Sequence, residues 1–184
     1  MSKKPKRFDP RSRWVKYRDG LWLPSRKRVY LYWFKFLQIS EQDPNRKVDW
    51  RNYRGWDGSN EVLGQKFDVW WEDHWKDLFA VEKEGDEPKF PLTTKKPKPD
   101  GYRTALLVYE NRNAGSNWEI AVKVQMVEER RRYGIQSFYY ASPDLEEDIG
   151  ASSNDAKLTI QSRVGRYKRH ANQILDNVFE GRFP

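Results

Sequence analysis

Acid–base and metal chemistry need carboxylates, imidazoles or thiols held within a few ångströms of one another, and this sequence offers few such groups. It has two histidines and no cysteine, which removes thiol nucleophiles, zinc ribbons and disulfides. Pro99-Asp100 followed by Glu110-Asn111-Arg112 echoes a metal-dependent nuclease pattern. On one extended strand those carboxylates stand ~33 Å apart, too far to share an ion. Arg112 is also a poor substitute for a lysine that must change protonation. Glu72-Asp73-His74 with Asp77 places two carboxylates at i, i+4 beside a ring nitrogen, a spacing that suits a divalent cation. His74, however, falls on an apolar stripe between Trp70, Trp71, Trp75 and Leu78, where an imidazole at the core edge donating to a carboxylate or backbone is the commoner arrangement. His170 adjoins Lys168 and Arg169 and reads as a surface contact. Gly115 precedes a helix start and could aim free N–H groups at a phosphate. It lacks the second glycine and the Gly-Lys-Ser/Thr of a phosphate loop, so an ordinary capped helix explains it. No catalytic set, metal or cofactor is expected.

Charge is the more informative signal. The formal net charge is +8, and its distribution matters more than its sum. Residues 1–28 hold eleven Lys and Arg against Asp9 and Asp19, a net +9; residues 29–101 carry −2 and residues 102–184 carry +1. Like charges at that density repel and resist burial, so 1–28 is expected to be a solvated basic arm. Its candidate phosphate contacts are Lys3, Lys4, Lys6, Arg7, Arg11, Arg13, Lys16 and Arg18. Trp14 is interleaved among them as a stacking group. The bland alternative is a tail whose Trp22 and Leu23 dock as a small apolar latch. A second basic surface, Arg163, Arg166, Lys168 and Arg169, lies on the last helix.

These groups must be positioned by an unusual core. Hydrophobic residues make up 37% of 184, and 28 of them are Phe, Trp or Tyr, so a few large rings must fill the interior. Val29, Trp33, Phe36 and Leu37 follow helical spacing and predict a helix near 26–41. Asp43-Pro44-Asn45 marks a turn, and Val48 to Gly58 reads as a loop held by Trp50 and Trp56. Val62, Leu63, Phe67, Trp70, Trp71, Trp75 and Leu78 predict one long helix over 59–80. Trp33, Trp56, Trp70, Trp71, Trp75 and Trp118 read most simply as core; because neighbouring helical residues diverge by about 100°, the alternative is that one of Trp70, Trp71 or Trp75 reaches the surface as a binding anchor. Four prolines over 84–101 predict a linker. Tyr102–Tyr109 reads as a strand, Ser116–Glu119 as a capping box opening a helix to about 132, and 134–141 as a second strand. Ser142-Pro143-Asp144 then starts a short helix or turn. Ile160, Val164, Tyr167, Ala171, Ile174 and Val178 alternate steps of four and three on a long C-terminal amphipathic helix.

The cadence Tyr30-x-Tyr32-Trp33-Phe34-x-Phe36-Leu37, Val48-Asp49-Trp50, Gly55-Trp56 and Phe67-Asp68-x-Trp70-Trp71-x-x-His74 resembles small proteins of bacterial phages and mobile elements. It covers roughly 29–80, with a fainter echo in Gly181-Arg182-Phe183-Pro184, and it implies no site residue.

The expected fold is α+β, predominantly α. A basic arm (1–28), an aromatic helical lobe (29–83), a Pro/Lys linker (84–101) and a lobe with one or two strands and a long C-terminal helix (102–184) follow in order. The expected function is non-enzymatic binding of nucleic acid, DNA or RNA, or of a nucleoprotein. The alternatives are a protein–protein adaptor or inhibitor, or a self-assembling protein whose arm contacts neighbouring copies. No run approaches the ~20 apolar residues of a membrane span. No apolar stretch follows the charged Met1–Arg7, so a cytoplasmic protein is expected.

Overall fold

The computed structural model describes residues 14–94, 96–124, 126 and 151–184, the last segment by backbone alone as far as 156. The fold is α+β and mostly helical. It divides into two compact units: the chain up to Pro99 together with Leu175–Pro184, and Asp100–Ile174.

The first unit opens with a hairpin of β1 (Val15–Lys16) and β2 (Trp22–Leu23), with Val15 opposite Leu23 and Lys16 opposite Trp22. Asp19 and Gly20 both take positive φ, 57° and 76°, and let the chain reverse within a few residues. This corrects the expectation of a solvated arm from 1 to 28, since its second half is folded. Trp22 exchanges two backbone hydrogen bonds with Val81, at 2.8 and 3.0 Å, and Leu23 is fully buried. The apolar latch weighed against the free arm is therefore present. Like-charge repulsion is overcome because Arg18, Asp19 and Lys27 each meet an opposite charge on a helix of the body.

That body is centred on α1 (Lys27–Gln42), whose Val29, Tyr30, Trp33, Phe34, Phe36 and Leu37 are all buried. The expected helix over 59–80 is two, α2 (Ser59–Gly64) and α3 (Phe67–Leu78), separated by extended Gln65 and Lys66. On one straight helix Val62 and Phe67 would stand ~140° apart. The break turns both inward: Val62 is buried, and the Phe67 ring meets Phe34 at 5.7 Å. Trp33 lies at the centre, its ring 5.0–6.5 Å from those of Tyr53, Trp56, Trp70, Phe79, Phe90 and Phe183.

The expected linker (84–101) is not free throughout its described residues. Phe90 is buried and its N–H donates to the Leu78 carbonyl at 3.0 Å. The Thr93 N–H donates to the Phe183 carbonyl at 2.9 Å. From this irregular strap Phe90 enters the aromatic core while 82–87 stay exposed, so the proline density that excludes regular structure does not exclude packing.

In the second unit the expected strand over 102–109 is a helix, α4 (Pro99–Glu110), which takes its first residues from the supposed linker. Pro99 suits a first helical turn and Asp100 complements its dipole. Buried Tyr102, Ala105, Leu106 and Tyr109 stand at i, i+3, i+4 and i+7. The apolar triplet Leu106-Leu107-Val108 looked strand-like but belongs to this broader stripe. Helix α5 (Asn117–Lys123) opens with the expected capping box: the Glu119 N–H donates to Ser116 Oγ and the Ser116 N–H donates to Glu119 Oε2. Helix α6 (Ala151–Phe179) buries Ile160, Val164, Ala171, Ile174 and Val178 and includes the start that alternation had left open to an extended reading. Val108, Ile120, Ala121, Met126, Ile160 and Val164 form the core of this unit. Helix α5 ends at Lys123 with Val124 as its C-cap, short of the expected end near 132; the expected strand over 134–141 and turn at 142–144 lie outside the described residues.

Candidate nucleic-acid interface

Helix α6 positions one of the two basic surfaces. Arg163, Arg166 and Arg169 stand three residues apart, so each guanidinium is set ~60° around the helix and ~4.5 Å along it from the last. The row begins beside the core at half-buried Arg163 and ends on the solvent face at exposed Arg166 and Arg169. Lys168 falls on the opposite flank with Lys157, whose ammonium sits 5.3 Å from the centre of the Trp118 ring. Lys168 therefore does not extend the arginine row. No carboxylate pairs with Arg163, Arg166, Lys168 or Arg169 among the described residues.

His170 completes the near side of the row. It follows Arg166 by one turn and Arg163 by two, and its ring packs against Tyr102 of α4 at 5.9 Å. Burial lowers its pKa below the usual histidine value, so the imidazole is neutral at neutral pH. Asn117 of α5 donates to the Gln161 carbonyl at 3.3 Å on the other side of α6. The i, i+3, i+7 spacing of Arg163, Arg166 and His170 was available in the sequence.

The arm contributes differently from its charge count. Lys3, Lys4, Lys6, Arg7, Arg11 and Arg13 lie outside the described residues. Trp14 is half-buried at the start of the hairpin, and Lys16 on β1 is exposed. Arg18 is paired with Glu72 of α3 at 2.5 Å, Lys27 with Asp68 at 2.7 Å, and Asp19 with Lys76. The acidic face of α3 thus engages cations that the sequence had assigned to solvent.

The core reading of the α3 tryptophans holds, and the alternative of a surface anchor is overturned. Trp70, Trp71 and Trp75 are all within 2% of complete burial. Tyr17 of the hairpin covers Trp75 and Trp71 edge-on, at 4.9 and 6.1 Å. The 100° divergence is real, but α3 has apolar cover on two sides.

The remaining chemical candidates resolve into structure. His74 Nε2 lies 2.8 Å from Glu61 Oε2, which also accepts the Trp56 indole N–H at 3.4 Å. Asp77 pairs with Lys89 at 3.0 Å. Among the described residues no group of three His, Asp or Glu side chains could hold a metal ion. Asp100 and Glu110 occupy the two ends of α4, ~15 Å apart along its axis, so the nuclease pattern fails by a helical ruler as well. A void between Trp33, Phe79, Phe90 and Phe183 measures about 10 Å³, room for one water. No described helix is long and apolar enough to cross a membrane.

No family model, curated protein or solved structure matches the chain.

Proposed function

We propose that this chain is a non-enzymatic nucleic-acid-binding protein that contacts phosphates through two basic surfaces. One is the α6 row of Arg163, Arg166 and Arg169. The other is the arm, represented by Lys3, Lys4, Lys6, Arg7, Arg11, Arg13 and Lys16. The observation that carries this reading is the contrast between cations. Arg18, Lys27, Lys76 and Lys89 are each matched to a carboxylate, whereas the α6 arginines have none among the described residues. An unpaired guanidinium row that folding does not use is suited to bidentate phosphate contacts. Arg18 leaves the set of proposed contacts, because Glu72 holds it. Phosphate contacts fix position without reading sequence, so the expected binding is sequence-tolerant. The aromatic cadence supports a phage or mobile-element setting for such a protein.

The adaptor reading loses the surface anchor it would have drawn from Trp70, Trp71 or Trp75, all three of which are buried. The test is a titration of a labelled duplex and a labelled single strand with the full chain at several salt concentrations. Each phosphate neutralised on a duplex steepens the slope of log K against log salt by ~0.9. A steep negative slope, reduced when Arg166 and Arg169 are both changed to Ala, is expected. No binding near 50 mM salt, or a flat salt response, would end this reading.

A further inference from the structure

We propose that Arg163, Arg166 and His170 form a phosphate site on α6 in which a nucleic-acid phosphate binds together with a proton taken up by His170. This rests on the nucleic-acid reading above and adds a specific site and a pH dependence to it.

The geometry comes first. The three side chains stand at i, i+3 and i+7 on one helix, within an arc of ~60°. A group lying along that arc meets two planar guanidinium forks and one ring. Arg163 and His170 are half-buried while Arg166 is exposed, so the inner part of the arc is shielded and the outer part open. Among the described residues no carboxylate already occupies either guanidinium.

His170 is the unusual member. The groups around it on α6 are cations: Arg166 and Arg163 on its own side, with Lys168 and Arg169 immediately before it. Helix α4 supplies Tyr102, whose ring packs on the imidazole, and carries Asp100 and Arg103 in the same turn, neither bonded to His170. Helix α5 lies against the other flank of α6, at Gln161. Partial burial disfavours the charged imidazole in the free protein; among the described residues no anion is bonded to it, and the cations beside it act in the same direction. A phosphate placed between Arg166 and His170 reverses that balance. It supplies the missing negative charge, and the protonated ring then donates from both nitrogens.

Linkage fixes the sign. If His170 titrates at a higher pH in the complex than in the free chain, binding takes up a proton and affinity rises as pH falls. The gain is about tenfold for each unit by which the pKa moves. The slope of log K against pH approaches −1 between the two pKa values and is flat above the higher one.

The chain has only two histidines, so the site can be read directly. The ring C–H resonances of the full-length protein are followed by NMR over pH 5–8, alone, with a short duplex, and with inorganic phosphate. His170→Gln assigns them, and anisotropy of the labelled duplex gives affinity over the same range. The expected result is a rise of about one unit or more in the His170 pKa on adding duplex. His170→Gln should abolish the corresponding pH slope. A shift with inorganic phosphate as well marks a site for phosphate groups in general. A shift with the duplex alone marks one for the nucleic-acid backbone. If the duplex binds and the His170 pKa stays where it was, this site is wrong and the nucleic-acid reading survives. If the duplex binds at no pH, both fall.

Discussion

The indole N–H of Trp71 donates to the hydroxyl of Tyr17 at 3.2 Å, so a helix in the body and a hairpin in the basic arm share a partly buried polar contact. Trp71 also stacks on Phe79 at 5.7 Å and meets Tyr30 at 5.3 Å, while its neighbour Trp70 turns to Phe34 and Trp33. The hairpin is what allows both tryptophans to be buried. Without it, one flank of α3 would expose Trp71 and Trp75.

Replacing Tyr17 separates the polar from the apolar part of this contact. Tyr17→Phe removes the acceptor of a buried donor and is expected to cost about 1–3 kcal/mol. Tyr17→Ala also uncovers two indole rings and should cost more, shifting tryptophan emission to the red. Denaturant unfolding followed by fluorescence measures both. An unchanged midpoint and emission for Tyr17→Ala would mean that the hairpin does not cover α3 in solution.

Tyr53 ties the loop before α2 to the chain terminus. Its hydroxyl donates to the Val178 carbonyl, Asn52 Nδ2 donates to the Phe179 carbonyl at 3.0 Å, and burial raises the Tyr53 pKa well above the usual tyrosine range. Because the folded value is the higher one, the unfolded chain ionises first. Stability is therefore complete below about pH 10 and declines as pH rises beyond it. Tyr53→Phe should flatten that alkaline decline in a melting series, at a cost of about 1–3 kcal/mol at neutral pH for the abandoned carbonyl. An alkaline decline of the same size in the variant would assign it to other tyrosines.

The elements that were legible in the sequence are those with a local signal. The α6 stripe, the α1 run and the Ser116–Glu119 box each declare themselves within a few turns, and each is present. The misreadings arise where a distant partner decides. Tyr102–Tyr109 contains an apolar triplet that suits a strand, but its buried set continues over four positions at helical spacing. Gln65 and Lys66 break a stripe that looks continuous, because α1 must meet Val62 and Phe67 from different directions. The arm departs furthest from its local signal: the carboxylates of α3 meet its cations, and the Arg18–Glu72 pair is 54 positions apart in sequence. A count of charge is more useful on α6, where the basic residues of one helix carry their own spacing.

His170 also makes the free protein sensitive to acid. Its folded pKa lies below the ordinary value of ~6.5, so as pH falls the unfolded chain takes up the proton first. The contribution of this residue is complete above about pH 6.5 and is lost progressively below it, down to the folded pKa. A melting series from pH 8 to pH 5 should show that loss, and His170→Gln should remove its share. Bound duplex should reverse the sign, stabilising the wild type more at pH 5.5 than at pH 8. An acid response identical in the variant would place the titrating group elsewhere.

Counting cations by what they touch gives the sharpest division between the two halves of the arm. Arg18 and Glu72 are each about half exposed, and an exposed pair of this kind contributes ~0.2–1 kcal/mol. Arg18→Ala should therefore lower stability slightly and leave the salt dependence of duplex binding unchanged. Arg166→Ala should do the opposite, with stability unaltered and the slope of log K against log salt shallower by ~0.9. Neutralising the six cations of residues 1–13 should flatten the slope by up to about 5, if each meets a phosphate. The decisive comparison is between the two single arginine variants on the same duplex. Equal changes in slope would mean that a polyanion takes Arg18 away from Glu72, so the hairpin would then have to be counted as part of the binding surface. A change at Arg166 alone would confine the duplex contacts to cations that folding leaves unpaired, and would make the acidic face of α3 the reason that Arg18 takes no part.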